Sequence, residues 1–212
     1  PVFIRETASS IKVMDGNKKE EELADNMVNI QEFFKENSIA NMLDLVYQDI
    51  DIIQNEVYLL SYNFASPFSS IGSKFYRYYI LDTLEFQGEQ VIELNFSPVD
   101  KQSIAFQGKM LVSLDSSYRV MHLDMRIRED INLNFTKNLH LVQTFSSVDK
   151  ATIKTHELLE MDAVIYTGIP EMHIQREEDY TLSTTKQEIS KPLEDSAMIP
   201  AEDPSKNLAM QK

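Results

Sequence analysis

The strongest constraint on the fold is a two-residue alternation of apolar and polar side chains that runs from Val57 to Ser183. Successive side chains of a β-strand point to opposite faces, so the pattern predicts strands with one buried and one solvated face. Similar segments recur about every 10–14 residues with turn residues between them, which predicts about eight or more antiparallel strands. In the clearest stretch, the apolar set is Met121, Leu123, Met125 and Ile127, and the polar set is His122, Asp124, Arg126 and Arg128.

The residues before these strands follow a different period. Two stripes at helical spacing predict two short helices within residues 20–50, the first beginning in the charged run Lys18 to Glu22. A sheet with one apolar face must cover that face, and these helices are the nearest cover. The first stripe contains Met27, Ile30, Phe33 and Phe34, and the second contains Ile39, Met42, Leu43, Val46, Tyr47 and Ile50.

The predicted fold is mainly β (α+β): a curved antiparallel sheet or half-barrel with the two helices packed on it. Residues 1–186 form a single domain in this prediction. Residues 187–212 contain Pro192, Pro200 and Pro204 and no aromatic side chain, which predicts a flexible or extended tail or linker.

The charge of the chain limits the classes of partner that it can bind. It has 34 acidic and 20 basic residues, a net charge of -14, so we expect no binding to nucleic acid. No run of 18 apolar residues occurs, so no transmembrane helix is predicted. The chain has no cysteine and therefore neither disulfides nor thiolate metal sites.

Motifs for catalysis are weak. The five glycines are isolated from one another, so no phosphate-binding loop is predicted, and a serine nucleophile motif does not occur. His156-Glu157 begins like a zinc-protease helix without the second histidine. Asp130 begins like a calcium loop, but Phe135 replaces the required glycine. We therefore expect neither an enzyme nor a cofactor.

One constellation of metal-ligating residue types remains. If a turn at Glu129-Asp130 pairs the flanking strands, His140 faces Val120 and lies diagonal to His122, with Asp124 one step further along. Two histidines and a carboxylate can hold a divalent metal. The simpler interpretation is a solvated strand face with cross-strand ion pairs to Arg126 and Arg128. We prefer that interpretation and predict no metal site.

Several short motifs resemble one family in order and spacing over about residues 1–183. They are Pro1-Val2-Phe3-Ile4-Arg5-Glu6-Thr7, Ser66-Pro67-Phe68, Phe75-Tyr76-Arg77-Tyr78-Tyr79, Phe96-Ser97-Pro98 with Lys101-Gln102, Phe106-Gln107-Gly108, and Asp130-Ile131-Asn132-Leu133-Asn134-Phe135. They resemble the middle domain, of unknown function, in a Bacteroidetes outer-membrane protein family. In that family a carboxypeptidase-regulatory-like domain precedes this domain and a β-barrel follows it.

The resemblance implies a periplasmic or outer-membrane-associated location in the envelope of a Gram-negative bacterium, with neighbouring domains in the parent protein. The abrupt amino terminus agrees with a segment of a longer protein. The order of helices and strands also looks like the lipoprotein-carrier half-barrel. Fold analogy by itself assigns no function.

The aromatic and methionine side chains on the strands have two interpretations. Packing in the core is the default. The resemblance adds a second one, an adaptable apolar groove for a lipid or peptide, because these side chains repack around irregular ligands. The predicted groove residues are Phe75, Tyr78, Phe96, Met110, Met121, Met125 and Phe135.

Three functions follow from these observations. The leading hypothesis is a non-enzymatic periplasmic binding or scaffolding module. The second is a structural spacer between an amino-terminal domain and a barrel. The third, much weaker, is a metal-dependent hydrolase using His122, His140 and Asp124.

Overall fold

A computed structural model describes residues 3–14, 17–29, 46–60, 62–131, 133, 136–148, 151–163, 172–185 and 207–211. These residues are mainly in β-strands, as predicted. The chain divides into two compact units, one of residues 1–30 with 179–212 and the other of residues 31–178. The described elements are β1 (Phe3–Met14), β2 (Asn17–Asn29), β3 (Glu56–Leu59), β4 (Tyr62–Ala65), α1 (Gly72–Phe75), β5 (Tyr76–Phe86), β6 (Glu89–Pro98), β7 (Phe106–Ser113), β8 (Val120–Ile127), β9 (Thr136–Val148), β10 (Ala151–Ala163), β11 (Met172–Asp179), β12 (Thr181–Thr185) and β13 (Asn207–Gln211).

The first unit contains a four-stranded antiparallel sheet in the order β12-β13-β1-β2. The β1–β2 hairpin carries polar cross-strand pairs. Arg5 donates two hydrogen bonds to the Asp25 carboxylate, at 3.1 and 2.8 Å, and Ser9 donates one to Glu20 at 2.8 Å. Strand β13 lies within the predicted tail, where it pairs with β1 and β12. The domain boundary at residue 186 stays a prediction.

The prediction of helix from residue 20 onward is wrong for its first part. Residues 17–29 form strand β2, whose register with β1 runs from Met14↔Asn17 to Phe3↔Asn29. The charged run suits a helix by propensity, yet a partner strand satisfies its backbone groups instead. Residues 30–45, which hold most of both stripes, lie outside the described residues. Val46 is helical, and both Val46 and Ile50 belong to the core.

The second unit is built on a curved seven-stranded antiparallel sheet in the order β11-β10-β9-β8-β7-β6-β5. In the described residues its two edge strands do not pair with each other, so the sheet stays open. The main sheet therefore has seven strands where about eight were predicted. Neighbours in sequence are neighbours in space, as short hairpin connections require. Strands β3 and β4 form a separate two-stranded hairpin.

The core of the second unit lies on the inward face of this sheet. Side chains of β6 to β10 meet the segment 46–65, which packs across them. The Phe64 ring lies 4.6 Å from the Phe106 ring, and the Tyr76 ring meets the Phe96 ring edge-on at 5.7 Å. The helices were predicted to cover the apolar face of the sheet. Among the described residues, this face is covered by Val46, Ile50, Ile52 and the β3–β4 hairpin.

Gly108 lies where the backbones of β7 and β8 approach closely. A Cβ at this position would sit 2.0 Å from the carbonyl oxygen of Asp124, so only glycine fits. No helix in the described part of the chain is both long and apolar enough to cross a membrane.

Candidate functional site

A surface groove lies beside the β3–β4 hairpin and α1 and is called here the hairpin groove. Its volume is about 820 Å³ and it is open to solvent. Tyr58, Ile71 and Phe75 supply its apolar surface, with 65%, 47% and 43% of each residue exposed. The lining residues are Gln54, Asn55, Glu56, Tyr58, Asn63, Ala65, Ser70, Ile71 and Phe75.

The alternation of β3 creates one wall of this groove. Val57 and Leu59 point inward and are buried, which turns Tyr58 between them to the surface. Glu56 lies on the same outer face, and its carboxylate accepts a hydrogen bond of 2.7 Å from the Asn63 amide. The wall therefore presents an aromatic ring beside a fixed polar pair.

Hydrogen bonds of serine and asparagine side chains hold the turn that forms another wall of the groove. The Ser66 hydroxyl donates to the Ile52 carbonyl at 2.6 Å and accepts the Phe68 N–H at 3.0 Å. The Asn55 side-chain oxygen accepts from the Ser69 hydroxyl at 3.2 Å and from the Ser70 N–H at 3.3 Å. These bonds fix the turn that leads into α1, and Ser70 and Ile71 of this turn line the groove.

Two tyrosines of β5 fasten the hairpin and the following turn to the sheet. The Tyr76 hydroxyl donates to the Ala65 carbonyl at 2.6 Å, and the Tyr78 hydroxyl donates to the Pro67 carbonyl at 2.7 Å. Burial raises the pKa of Tyr76 to about 12 and also raises the pKa of Tyr78. Both hydroxyls therefore remain donors well above neutral pH.

The structure separates the predicted groove residues into two groups. Phe75 lines the hairpin groove, and Tyr78 is partly exposed beside the turn. Phe96, Met110, Met121 and Met125 are buried, with 0–3% of each exposed, and Phe135 lies outside the described residues. Phe96, Met110 and Met125 belong to the packed core, which agrees with the default interpretation. Sequence reasoning missed Tyr58 and Ile71, although the alternation beginning at Val57 already turned Tyr58 outward.

The register assumed for the strands of His122 and His140, with His140 facing Val120, is wrong. His122 faces Thr144, and His140 faces Arg126, so the register differs by six residues from the assumed one. Strand β8 ends at Ile127 and β9 begins at Thr136, so a tight turn at Glu129-Asp130 does not join the two strands directly. Buried Leu133 forms a single bridge to Thr136 there.

The two histidines consequently lie about 13 Å apart along the strand direction. The His140 ring sits between carboxylates, with Nε2 2.9 Å from Asp124 and Nδ1 3.2 Å from Glu160. The His122 Nδ1 atom lies 3.0 Å from the Thr144 hydroxyl, and burial lowers the pKa of His122. His122, His140 and Asp124 do not converge on one point, so this set does not form the metal site considered above.

A buried polar cluster joins β9, β10 and β11 to the segment 46–50. Glu157 is fully buried and receives hydrogen bonds from Gln143, Arg176 and Lys154, the last at 2.7 Å. Gln143 also donates to the Ile50 carbonyl at 2.9 Å, and Arg176 donates to the Val46 carbonyl and, at 2.7 Å, to that of Gln48. These contacts fasten the covering segment to the sheet. No local sequence pattern indicates these contacts, because the partners are 93 to 130 positions apart.

With this geometry established, comparison with known proteins gives one informative match. A family model described as a family of unknown function (DUF5686) matches residues 1–169, well over half of the chain. The chain belongs to this family. The matched span of the DUF5686 chain includes the hairpin groove, Gln143 and Glu157, whereas Arg176 follows it.

We found no match among curated proteins and none among solved structures.

Proposed function

We propose that this DUF5686 chain is a non-enzymatic binding and scaffolding module of the bacterial cell envelope, which presents the hairpin groove to a peptide. The resemblance noted in the sequence supports a place in the periplasm, next to the outer membrane and beside other domains of a parent protein. The single observation that carries the binding role is a groove with three exposed apolar side chains.

The chemistry of the lining favours a peptide over an acyl chain. Gln54, Asn55, Glu56 and Asn63 place amide and carboxylate groups around the apolar patch. Peptide ligands combine side chains that fill apolar pockets with backbone groups that need hydrogen-bond partners. An acyl chain would offer no hydrogen-bond partner to the donor and acceptor sites of these groups that remain open.

Binding of a lipid on the inward face of the sheet, by analogy with lipoprotein carriers, is less well supported. Phe96, Met110 and Met125 already fill the inward face under the segment 46–65. A ligand at that place would have to displace the segment and break its contacts with Gln143 and Arg176. The groove on the outside needs no such rearrangement.

Selection from a random peptide library on the immobilised 212-residue chain tests the proposal. We expect enriched peptides whose affinity falls at least about tenfold in a Tyr58→Ala/Phe75→Ala variant. Tyr118→Ala is the matched control, because Tyr118 is as exposed as Tyr58 and lies in the turn between β7 and β8. Enriched peptides that bind both variants equally would refute the groove as the site.

A flotation assay with phosphatidylethanolamine and phosphatidylglycerol vesicles examines the lipid alternative. Vesicle binding that depends on Tyr58 and Phe75, without peptide enrichment, would replace the peptide by a lipid ligand. The packed core also favours a second function, a rigid spacer. If a neutral segment of equal span restores the behaviour of the parent protein, the spacer function is correct.

A further inference from the structure

Strand β5 is an edge of the seven-stranded sheet and exposes apolar side chains along its middle. It pairs with β6 on one side, and no described strand pairs with its other side. Tyr79, Ile80 and Leu81 are 51%, 70% and 49% exposed. An unpaired strand of 11 residues with apolar side chains is a template for pairing with another strand.

The register with β6 defines the faces of β5. Ile80 pairs with Leu94 and Asp82 pairs with Glu93, so Leu81 is an extra residue in a bulge. Because the bulge adds one residue, the side chains of Arg77, Tyr79 and Asp82 lie on the outward face of β5. Tyr76, Tyr78 and Ile80 share the inward face.

This arrangement is self-complementary. When two copies of β5 run antiparallel with a two-fold axis at Tyr79, Arg77 of each copy lies opposite Asp82 of the other. On the inward face, Tyr78 lies opposite Ile80. Each pair joins residues of the same face, as direct cross-strand neighbours must.

We propose that the chain forms a two-fold symmetric dimer by antiparallel pairing of β5 with β5 of a second copy, which joins two seven-stranded sheets into one. Within the described part of the chain, the Arg77 side chain makes no hydrogen bond or ion pair, and the Asp82 carboxylate accepts only the N–H of Thr83, at 2.7 Å. The dimer gives both side chains an oppositely charged neighbour and covers Tyr79 and Ile80. It is independent of the role proposed for the hairpin groove.

The charges favour pairing of β5 with a second copy of the chain over pairing with an arbitrary apolar strand. Each chain carries a net charge of -14, so two copies repel unless the contact contains attraction of its own. Two Arg77–Asp82 pairs flanking the apolar centre supply that attraction and fix the register. Salt at physiological concentration screens the remaining repulsion over about 8 Å.

A cross-linking experiment tests the register, because the chain has no cysteine of its own. The two Tyr79 Cα atoms are expected about 4.5–5.5 Å apart, within the range that a disulfide spans. Under mild oxidation, Tyr79→Cys should form a covalent dimer of twice the 24.5 kDa chain mass. Arg77→Cys is the matched control and should stay monomeric, since the two copies of that position lie about 13 Å apart. Equal cross-linking of both variants, or of neither, would overturn the proposal.

Sedimentation equilibrium of the full chain tests the charge pairs without oxidation. Arg77→Asp and Asp82→Arg should each weaken dimerisation at least about tenfold, and the double variant should restore it. Tyr118→Lys, a change of charge in the turn between β7 and β8, should leave the dimer unchanged. A monomeric wild-type chain, or a double variant that dimerises no better than either single one, would refute the pairing.

Discussion

Glu157 shows how one residue can control the attachment of a whole segment. Its buried carboxylate is shared by Gln143, Lys154 and Arg176, and two of these partners also bind backbone carbonyls of the segment 46–50. A buried ion pair adds little net stability over an apolar pair, but loss of one partner leaves an uncompensated charge. The cluster therefore fixes the position of the segment 46–50 on the sheet more than it increases the total stability of the fold.

Replacement of Glu157 should be strongly destabilising. We expect Glu157→Gln to lower the free energy of unfolding by about 3–5 kcal/mol, because Arg176 then stays buried without its anion. Urea denaturation followed by circular dichroism measures the change. Glu157→Gln combined with Arg176→Met should be less destabilised than the sum of the single variants, since no charge is left alone. Additive losses would contradict this account.

His122 should make stability depend on pH in a defined direction. Burial is the largest cause that lowers its pKa below the ordinary value of 6.5. Repulsion from His156 acts in the same direction, and attraction to Asp124 opposes both. As the pH falls through 6.5, the unfolded chain therefore binds a proton that the folded chain does not, and stability decreases.

Two measurements check this pH dependence. Titration of the His122 ring by NMR should give a midpoint below 6.5. The fall in the free energy of unfolding between about pH 6.5 and 5 should be smaller in His122→Asn than in the wild type. A midpoint at or above 6.5 would show that the attraction of Asp124 outweighs burial.

At the scale of elements, the β3–β4 hairpin serves the core and the groove with opposite faces. Val57, Leu59 and Phe64 are 0–1% exposed and pack inward, whereas Tyr58 faces the groove. Tyr76 and Ser66 fix the ends of this hairpin and the turn after it through hydrogen bonds to backbone carbonyls. Stability and binding can therefore be changed separately in one element.

A pair of truncations in this hairpin tests that separation. We expect Phe64→Ala to lower the free energy of unfolding by about 3–5 kcal/mol, because it leaves a cavity against Phe106. Tyr58→Ala should change it by less than about 0.5 kcal/mol and still weaken peptide binding. Chemical denaturation and a binding titration on the same two variants give both values. A large loss of stability in Tyr58→Ala would assign that ring to the core.

At the scale of the whole molecule, charge opposes compaction. The net charge of -14 produces self-repulsion that the folded chain must overcome. Raising the salt concentration from about 10 to 100 mM shortens the screening length from about 30 to 10 Å. The melting temperature should therefore rise by a few degrees, about 2–4 °C for each kcal/mol of repulsion removed.

Differential scanning calorimetry in NaCl and in KCl measures this effect. Equal gains in the two salts indicate screening, whereas a gain in only one indicates binding of a particular cation. A melting temperature that falls with either salt would show that attractive ion pairs, such as that of Arg5 with Asp25, outweigh the repulsion.

The sequence by itself determined that the fold is mainly β and, in the clearest strand, which side chains face the core. The alternation through Met121, Leu123, Met125 and Ile127 follows directly from the pleat of a strand. The order of neighbouring residues was therefore sufficient to predict which of them face the core. Helix propensity failed at residues 17–29, because pairing with β1 outweighed it. Local pattern decides which face is apolar, but it cannot decide which partner covers it.

Only the tertiary structure decided the register of β8 with β9, the cluster around Glu157 and the location of the hairpin groove. The register depends on the length of a loop, and an error in that length moves every cross-strand neighbour, as it did for His122 and His140. The cluster and the core join residues far apart in sequence, which leave no periodic signal. The predicted Phe75 lines the groove and the predicted Phe96 lies in the core, because burial depends on what packs above each strand.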